Sequence, residues 1–200
     1  VQSGDKKPYH HGNLREALLD AAESALTHMD LGEVSLREIA RRAGVSHAAP
    51  KHHFGSLGAL FGEVAARGFE RFVASLDEAA ARGDQAPEVR MRAMARAYLR
   101  FALANPAVYG LMFGRRENAV EVTPHLMTAM LAAWNQLEEQ VGAVVGPARK
   151  LHGAVAVWSA VHGLAMLHLD RKLPPHVDPD AAVESVANII VAGLRAEAGS

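Results

Sequence analysis

Apolar residues return along this chain at intervals of three and four, the spacing that lines one face of an α-helix, and no convincing period of two appears. The pattern predicts an all-α fold of about nine helices. A first helix runs from about Asn13 to His28, with Leu14, Ala17, Leu18, Ala21, Ala22, Ala25 and Leu26 as its inward stripe. Two short helices share the next stretch. A long fourth helix, about Leu57 to Ala81, carries Leu60, Phe61, Val64, Phe69, Phe72, Val73 and Leu76 at helical spacing. Beyond it, Pro87, Pro106, Pro124, Pro147 and Pro179 each stand where a new apolar period begins, in the first helical turn that tolerates a missing N–H. They set helices at about 87–104, 106–113, 124–145, 147–169 and 179–196, with GRRENAVEV at 114–122 as a polar connection.

The stretch from Leu151 to Leu169 contains no Asp, Glu, Lys or Arg and is nearly long enough to span a bilayer. His152, His162 and His168, two glycines and many alanines insert poorly, so the expectation is a helix buried in protein on all sides. Its small residues Gly153, Ala156, Ala160 and Gly163 form a stripe that would allow close helix approach, between chains or within one.

The local chemistry is densest between Val34 and Leu60, VSLREIARRAGVSHAAPKHHFGSLGAL. Ser35 followed by Glu38 makes a capping box that opens a helix, and Leu36, Ile39 and Ala40 supply its inward side. Gly44 suits the left-handed backbone of a sharp helix exit, and Val45 turns back into the core. Ser46 is the expected cap of a second helix carrying His47, Lys51, His52 and His53. Two short helices around a tight turn form a helix-turn-helix, whose second helix enters the DNA major groove. Its leading turn, Ser46, His47, Ala48 and Ala49, would reach base edges; the two alanine methyls suit thymine, and His47 can donate to a base or a phosphate.

IARRAGVS, then a short helix ending in HF, then a Leu shortly after a Ser, resembles the DNA-binding domain of TetR-family transcriptional regulators. The resemblance covers roughly residues 9 to 72. A thinner likeness, Trp158, His162 and Gly163, is to the subgroup whose C-terminal domain is named for that Trp-His-Gly. The resemblance implies a three-helix DNA-binding domain at 9–56, linked through helix 57–81, and an effector-binding and dimerisation domain at 57–200. It implies phosphate contacts from positions 51 and 53, an effector cavity in the body and a homodimer through the last two helices. Candidate DNA-binding residues are therefore Ser35, Ser46, His47, Ala48, Ala49, Lys51, His52 and His53. Candidate ligand-binding residues are Tyr98, Phe101, Met112, Phe113, Met130, Trp134, Trp158 and His162, with Tyr109 nearby. Three positions depart from the family pattern: Lys51 replaces a tyrosine, Leu57 a lysine and Gly58 an acidic residue, which removes a phosphate contact expected at the start of the fourth helix.

The formal net charge of −1 excludes a uniformly basic nucleic-acid binder, but Arg37, Arg41, Arg42 and Lys51 against Glu38 make the helix-turn-helix locally positive. The chain has no cysteine, so no disulfide, thiolate metal site or cysteine nucleophile is possible. No cofactor is implied. The histidines lack metal-ligand spacing, and no catalytic constellation or phosphate loop is present. Six of the eleven histidines fall within the first 53 residues, which raises the idea of an operator affinity that rises near pH 6. Without a signal-peptide pattern, the expected location is the cytoplasm. The expected function is a regulator, more a repressor than an activator, released from a palindromic DNA operator by a small hydrophobic or amphipathic effector. The alternative is a helical sensor whose head has lost DNA affinity.

Overall fold

The computed structural model describes residues 11–81, 86–114 and 119–198. Among them the chain forms nine α-helices and no strand: α1 (His11–His28), α2 (Leu36–Ala43), α3 (Ala49–Phe54), α4 (Leu57–Ala80), α5 (Pro87–Ala104), α6 (Pro106–Phe113), α7 (Pro124–Val145), α8 (Lys150–Leu169) and α9 (Pro179–Ala198). Residues 1–10, with Lys6, Lys7, Tyr9 and His10, lie outside the described residues, as do positions 115–118 of the polar connection.

α4 is the spine of the molecule. It packs against α1 and α3 at its start and against α5, α6 and α7 along its length. Leu60, Phe61, Val64, Phe69, Phe72 and Leu76 are buried as their spacing predicts, and Val73 is half-buried. One apolar cluster runs from Leu18, Leu19 and Ile39 through Phe61 and Val64 to Tyr98, Tyr109, Leu126 and Val161. The head formed by α1–α3 therefore shares a core with the body. Leu19, off the predicted stripe of α1, is as buried as Leu18, because α1 is covered by both α2 and α4. Arg67 donates to Asp20 at 2.8 Å and Arg71 donates twice to Glu23, at 3.0 and 2.9 Å, holding α1 along α4. A second cluster, with Met91, Val141, Val157 and Leu194, closes the far end where α5, α7, α8 and α9 meet.

Two expectations about α8 are corrected. Pro147 does not open the helix, which begins at Lys150 after a turn at 147–149. Gly146 ends α7 with φ 80°, and the chain must reverse before α8 can lie against it. Nor is α8 enclosed on all sides. Gly153, Ala154, Val157, Val161 and Ala165 are buried, whereas Leu151, Val155 and Leu167 are exposed, and so is Ile189 on neighbouring α9. The small-residue stripe splits accordingly. Gly153 packs beneath Val141 and Leu194 within the chain, while Ala156 is exposed and Gly163 meets nothing within 4 Å. An uncharged sequence looks the same whether its second face meets its own chain or another one. No helix among the described residues is long and apolar enough to cross a membrane.

Candidate functional site

In the head, local rules set the geometry. Ser35 Oγ accepts the Glu38 N–H at 3.2 Å, completing the expected cap of α2. Gly44 takes φ 66°, ψ 32°, a conformation that a Cβ would strain, and the Val45 N–H reaches back to the Ala40 carbonyl at 3.0 Å. This closes α2 and aims the chain into α3. With only six residues, α3 is too short to stand alone. It is held by Pro50, which is buried, and by Gly55, whose N–H reaches Lys51 O at 2.8 Å before Ser56 caps α4.

Here the expected cap is corrected. Ala48, not Ser46, occupies the N-cap position of α3, and it makes no side-chain cap bond. Ser46 stands earlier, its carbonyl accepting from the Ala49 N–H at 3.0 Å. The fixed φ of Pro50 suits a first helical turn, so regular winding starts beside it. Of the other candidates, Ser35, Ser46, His47, Ala48, Lys51 and His52 are exposed, and Ala49 and His53 half-buried. The positive field is smaller than the residue list suggests. Glu38 takes bonds from Arg41 and Arg42 at 2.7 and 2.8 Å, and the Arg41 guanidinium, seconded by Arg42, holds its carboxyl down at about 2. Arg37 and Lys51 remain exposed outside that cluster.

In the body, a cavity of about 660 Å³ opens between helices. Phe69, Phe72 and Leu76 of α4 form one wall, and Met127, Met130, Leu131, Trp134 and Leu137 of α7 another. Tyr98, Met112, Phe113, Trp158, Ser159, Val161 and His162 complete it. Trp134 and Trp158 meet edge to face, their ring centroids 6.1 Å apart. Seven of the eight ligand-binding candidates thus come together on one surface. Phe101 does not: it is buried beside Phe72, with centroids 5.3 Å apart, and does not line the cavity.

The cavity's polar spot is a triangle. Tyr98 OH lies 3.0 Å from Tyr109 OH, and His162 Nδ1 lies 3.0 Å from the first and 2.8 Å from the second. Burial pushes the Tyr98 phenol up to about 12, pushes Tyr109 up as well, and pushes His162 down. All three groups are neutral near pH 7. The half-buried His162 has this tyrosine pair as its polar partner. Among the described residues, no group of three or more His, Cys, Asp or Glu could hold a metal ion.

Both halves of the chain match family models. Residues 18–64 match the bacterial regulatory proteins of the tetR family, and residues 91–190 match a tetracyclin repressor-like C-terminal domain. A protein of unknown function from Rhodococcus sp. RHA1 is 33% identical, with TM-score 0.82 over 94% of this chain and 98% of its own. The chain belongs to the TetR family. Its fold is also that of PfmR, a TetR-family transcriptional regulator from Thermus thermophilus, at 18% identity and TM-score 0.64, covering 88% of this chain and 97% of that one. It is shared too with the fatty acid degradation regulator FadR from Bacillus halodurans, at 13% identity and TM-score 0.70, covering 89% and 98%. No curated protein matches the chain. TetR-family proteins are DNA-binding regulators, typically ligand-responsive repressors.

Cavity and head of this TetR-family chain meet at a junction that the sequence pattern did not single out. After α6, the chain at 119–123 lies across the first turns of α4. The Glu121 N–H donates to Gly58 O at 3.0 Å, and Ser56 Oγ donates to the Glu121 carboxylate at 2.9 Å. A Cβ at Gly62 would run into the Glu121 carbonyl, so this approach requires glycine. Thr123 then caps α7, and His125 bridges two carboxylates of α4, with Nδ1 2.9 Å from Glu63 and Nε2 2.8 Å from Glu70. Arg15 of α1 pairs with the same Glu63 and lies over the Phe54 ring of α3. Burial alone would raise Glu63, but bonds from His125, Thr123 and Arg15 outweigh it and hold the carboxyl below its usual range. At Gly58, where the chain departs from the family pattern, a Cβ would meet residues 119–121 at ordinary contact distances of 3.5–3.6 Å. One buried glutamate in an amphipathic helix was the available signal for the junction, but its partners lie 48 and 62 residues away.

Proposed function

We propose that this chain is a cytoplasmic, homodimeric transcriptional repressor, not an enzyme, whose operator affinity is set by a small molecule in the body cavity. Residues 9–56 serve as the DNA reader and 57–200 as the effector-binding and dimerisation part. Trp158, His162 and Gly163 support placing the chain in the Trp-His-Gly subgroup. Ser46, His47, Ala48 and Ala49 read base edges, and Ser35, Lys51, His52 and His53 fix register on phosphates. The observation that carries the reading is the outward leading turn of α3, exposed at Ser46, His47, Ala48 and Lys51 while Pro50 anchors the helix in the core.

One short recognition helix reads only a few base pairs, so a two-fold dimer supplies the rest of the site. The apolar strip of Leu151, Val155 and Leu167 on α8 with Ile189 on α9 is the proposed dimer face. The switch runs through the junction. An effector pressing on Met127, Met130 or Trp134 displaces the start of α7, which is tied to α4 through Glu121 and His125, and α4 carries the heads to a separation the operator does not fit.

A second reading, a sensor with weakened DNA binding, draws on the Glu121 carboxylate. It sits on Ser56 at the start of α4, close to where the family pattern expects a phosphate. Capture of genomic fragments by the purified protein separates the two. Recovery of a palindromic site supports the repressor, and retention of no specific fragment favours the sensor.

A further inference from the structure

We propose that the effector is an uncharged, largely apolar molecule carrying one oxygen acceptor, which receives a hydrogen bond from His162 Nε2. The proposal rests on the body cavity being the effector site, and it names the class of molecule that site takes. The polar lining is Tyr98, Ser159 and His162, and Tyr109, buried behind them, completes a triangle with Tyr98 and His162. Its hydrogen-bond count selects a tautomer. Were Nδ1 to carry the ring proton, one of the two phenolic protons would have no acceptor within the triangle. With Nδ1 bare, both phenolic protons are used, the shorter contact being that to Tyr109 at 2.8 Å. The ring proton then resides on Nε2. That nitrogen has no protein partner among the described residues, and the ring lines the cavity. It offers a single directed donor.

The rest of the lining favours a neutral guest. None of the described lining residues is Asp, Glu, Lys or Arg. Glu138, one turn beyond Trp134 on α7, is already engaged by the Trp134 indole N–H at 3.0 Å and by Lys150 at 3.0 Å. A carboxylate or ammonium entering this cavity would give up its hydration for aromatic and aliphatic walls, with no opposite charge among the described lining residues to meet it. An alcohol, ketone, ester or ether oxygen gives up little, and it regains its hydrogen bond at His162. The volume of about 660 Å³ suits a drug-sized molecule.

Both tryptophans of the chain, Trp134 and Trp158, line the cavity, so intrinsic fluorescence reports on its occupancy directly. The test titrates the full chain with decanol, chlorodecane, decanoate and decylammonium, all transparent at the exciting wavelength, below their micelle concentrations and near pH 7. Decanol is expected to shift the emission at a concentration about tenfold or more below that needed for either charged chain. In His162→Phe the advantage of decanol over chlorodecane falls by about threefold to tenfold. Should that variant not fold, the wild-type series alone decides. Decanoate or decylammonium binding as tightly as decanol overturns the uncharged class while leaving the effector site in place. If no probe of any charge changes the emission or the melting temperature, the effector site itself is overturned, and this proposal with it.

Discussion

The head and the cavity are built by opposite means. In the head, each feature is set by residues within a few positions of one another: Ser35 with Glu38, Gly44 with Val45 and Ala40, Pro50 with the start of α3. The cavity is walled by α4, α5, α6, α7 and α8, and its polar triangle joins positions as far apart as 98 and 162. The outward residues of the head are positioned by a serine cap, a left-handed glycine and a buried proline. The cavity is a space left between helices, and a space can be filled, enlarged or closed at small cost to the fold. A regulator needs both kinds of construction, a reader that does not change shape and a sensor that does.

The largest expected effects contrast these two regions. Phe61 is 2% exposed in the core shared by head and body, and Phe61→Ala should destabilise the chain by about 3–5 kcal/mol. Trp134→Ala removes a larger side chain from the rim of a space that already exists, and should cost less than about 2 kcal/mol. Denaturant unfolding of the two variants measures the difference; equal losses would mean that the cavity wall is packed like the core. Next in size is the junction. Gly62→Val drives a side chain into the Glu121 carbonyl and should cost about 1–3 kcal/mol by the same measurement. Unlike Phe61→Ala, it should also shift the effector concentration at which DNA is released.

The smallest effect is electrostatic. Bonds to Glu70 and then Glu63 raise the pKa of His125 above its ordinary value. The imidazolium's contribution is therefore full below the unfolded value of about 6.5 and is lost as pH rises through the folded one. With the His125 side chain 37% exposed, solvent screening keeps this to well under about 1 kcal/mol. Melting temperatures from about pH 6 to about pH 9 should fall more for wild type than for His125→Gln. Parallel profiles would remove His125 from the account.

Most of the head was legible in the sequence because capping, turn and proline rules act over three or four residues, and the starts of α5, α6, α7 and α9, though not α8, followed from proline and apolar period. The failures have the same origin. Ser46 looked like a cap because serine before a helix usually is one, yet Pro50 set the first turn further along. Phe101 looked like a wall residue because periodicity marks an inward face without saying whether that face meets a cavity or another ring. Nothing local in the sequence around Glu121, Glu63 and His125 signals a partner on a distant helix. The open strip on α8 and α9 was hidden by composition, since a second apolar face can serve one chain or two.

The outward turn of α3 is the proposed DNA reader. Fluorescence anisotropy on a recovered genomic fragment, at fixed salt, tests it with His47→Ala and Lys51→Ala against wild type. The two changes together should weaken binding by about tenfold or more at unchanged melting temperature, and Lys51→Ala alone should lower the salt dependence. Affinity and salt dependence equal to wild type, with both variants folded, would contradict the assignment of α3 as the reader.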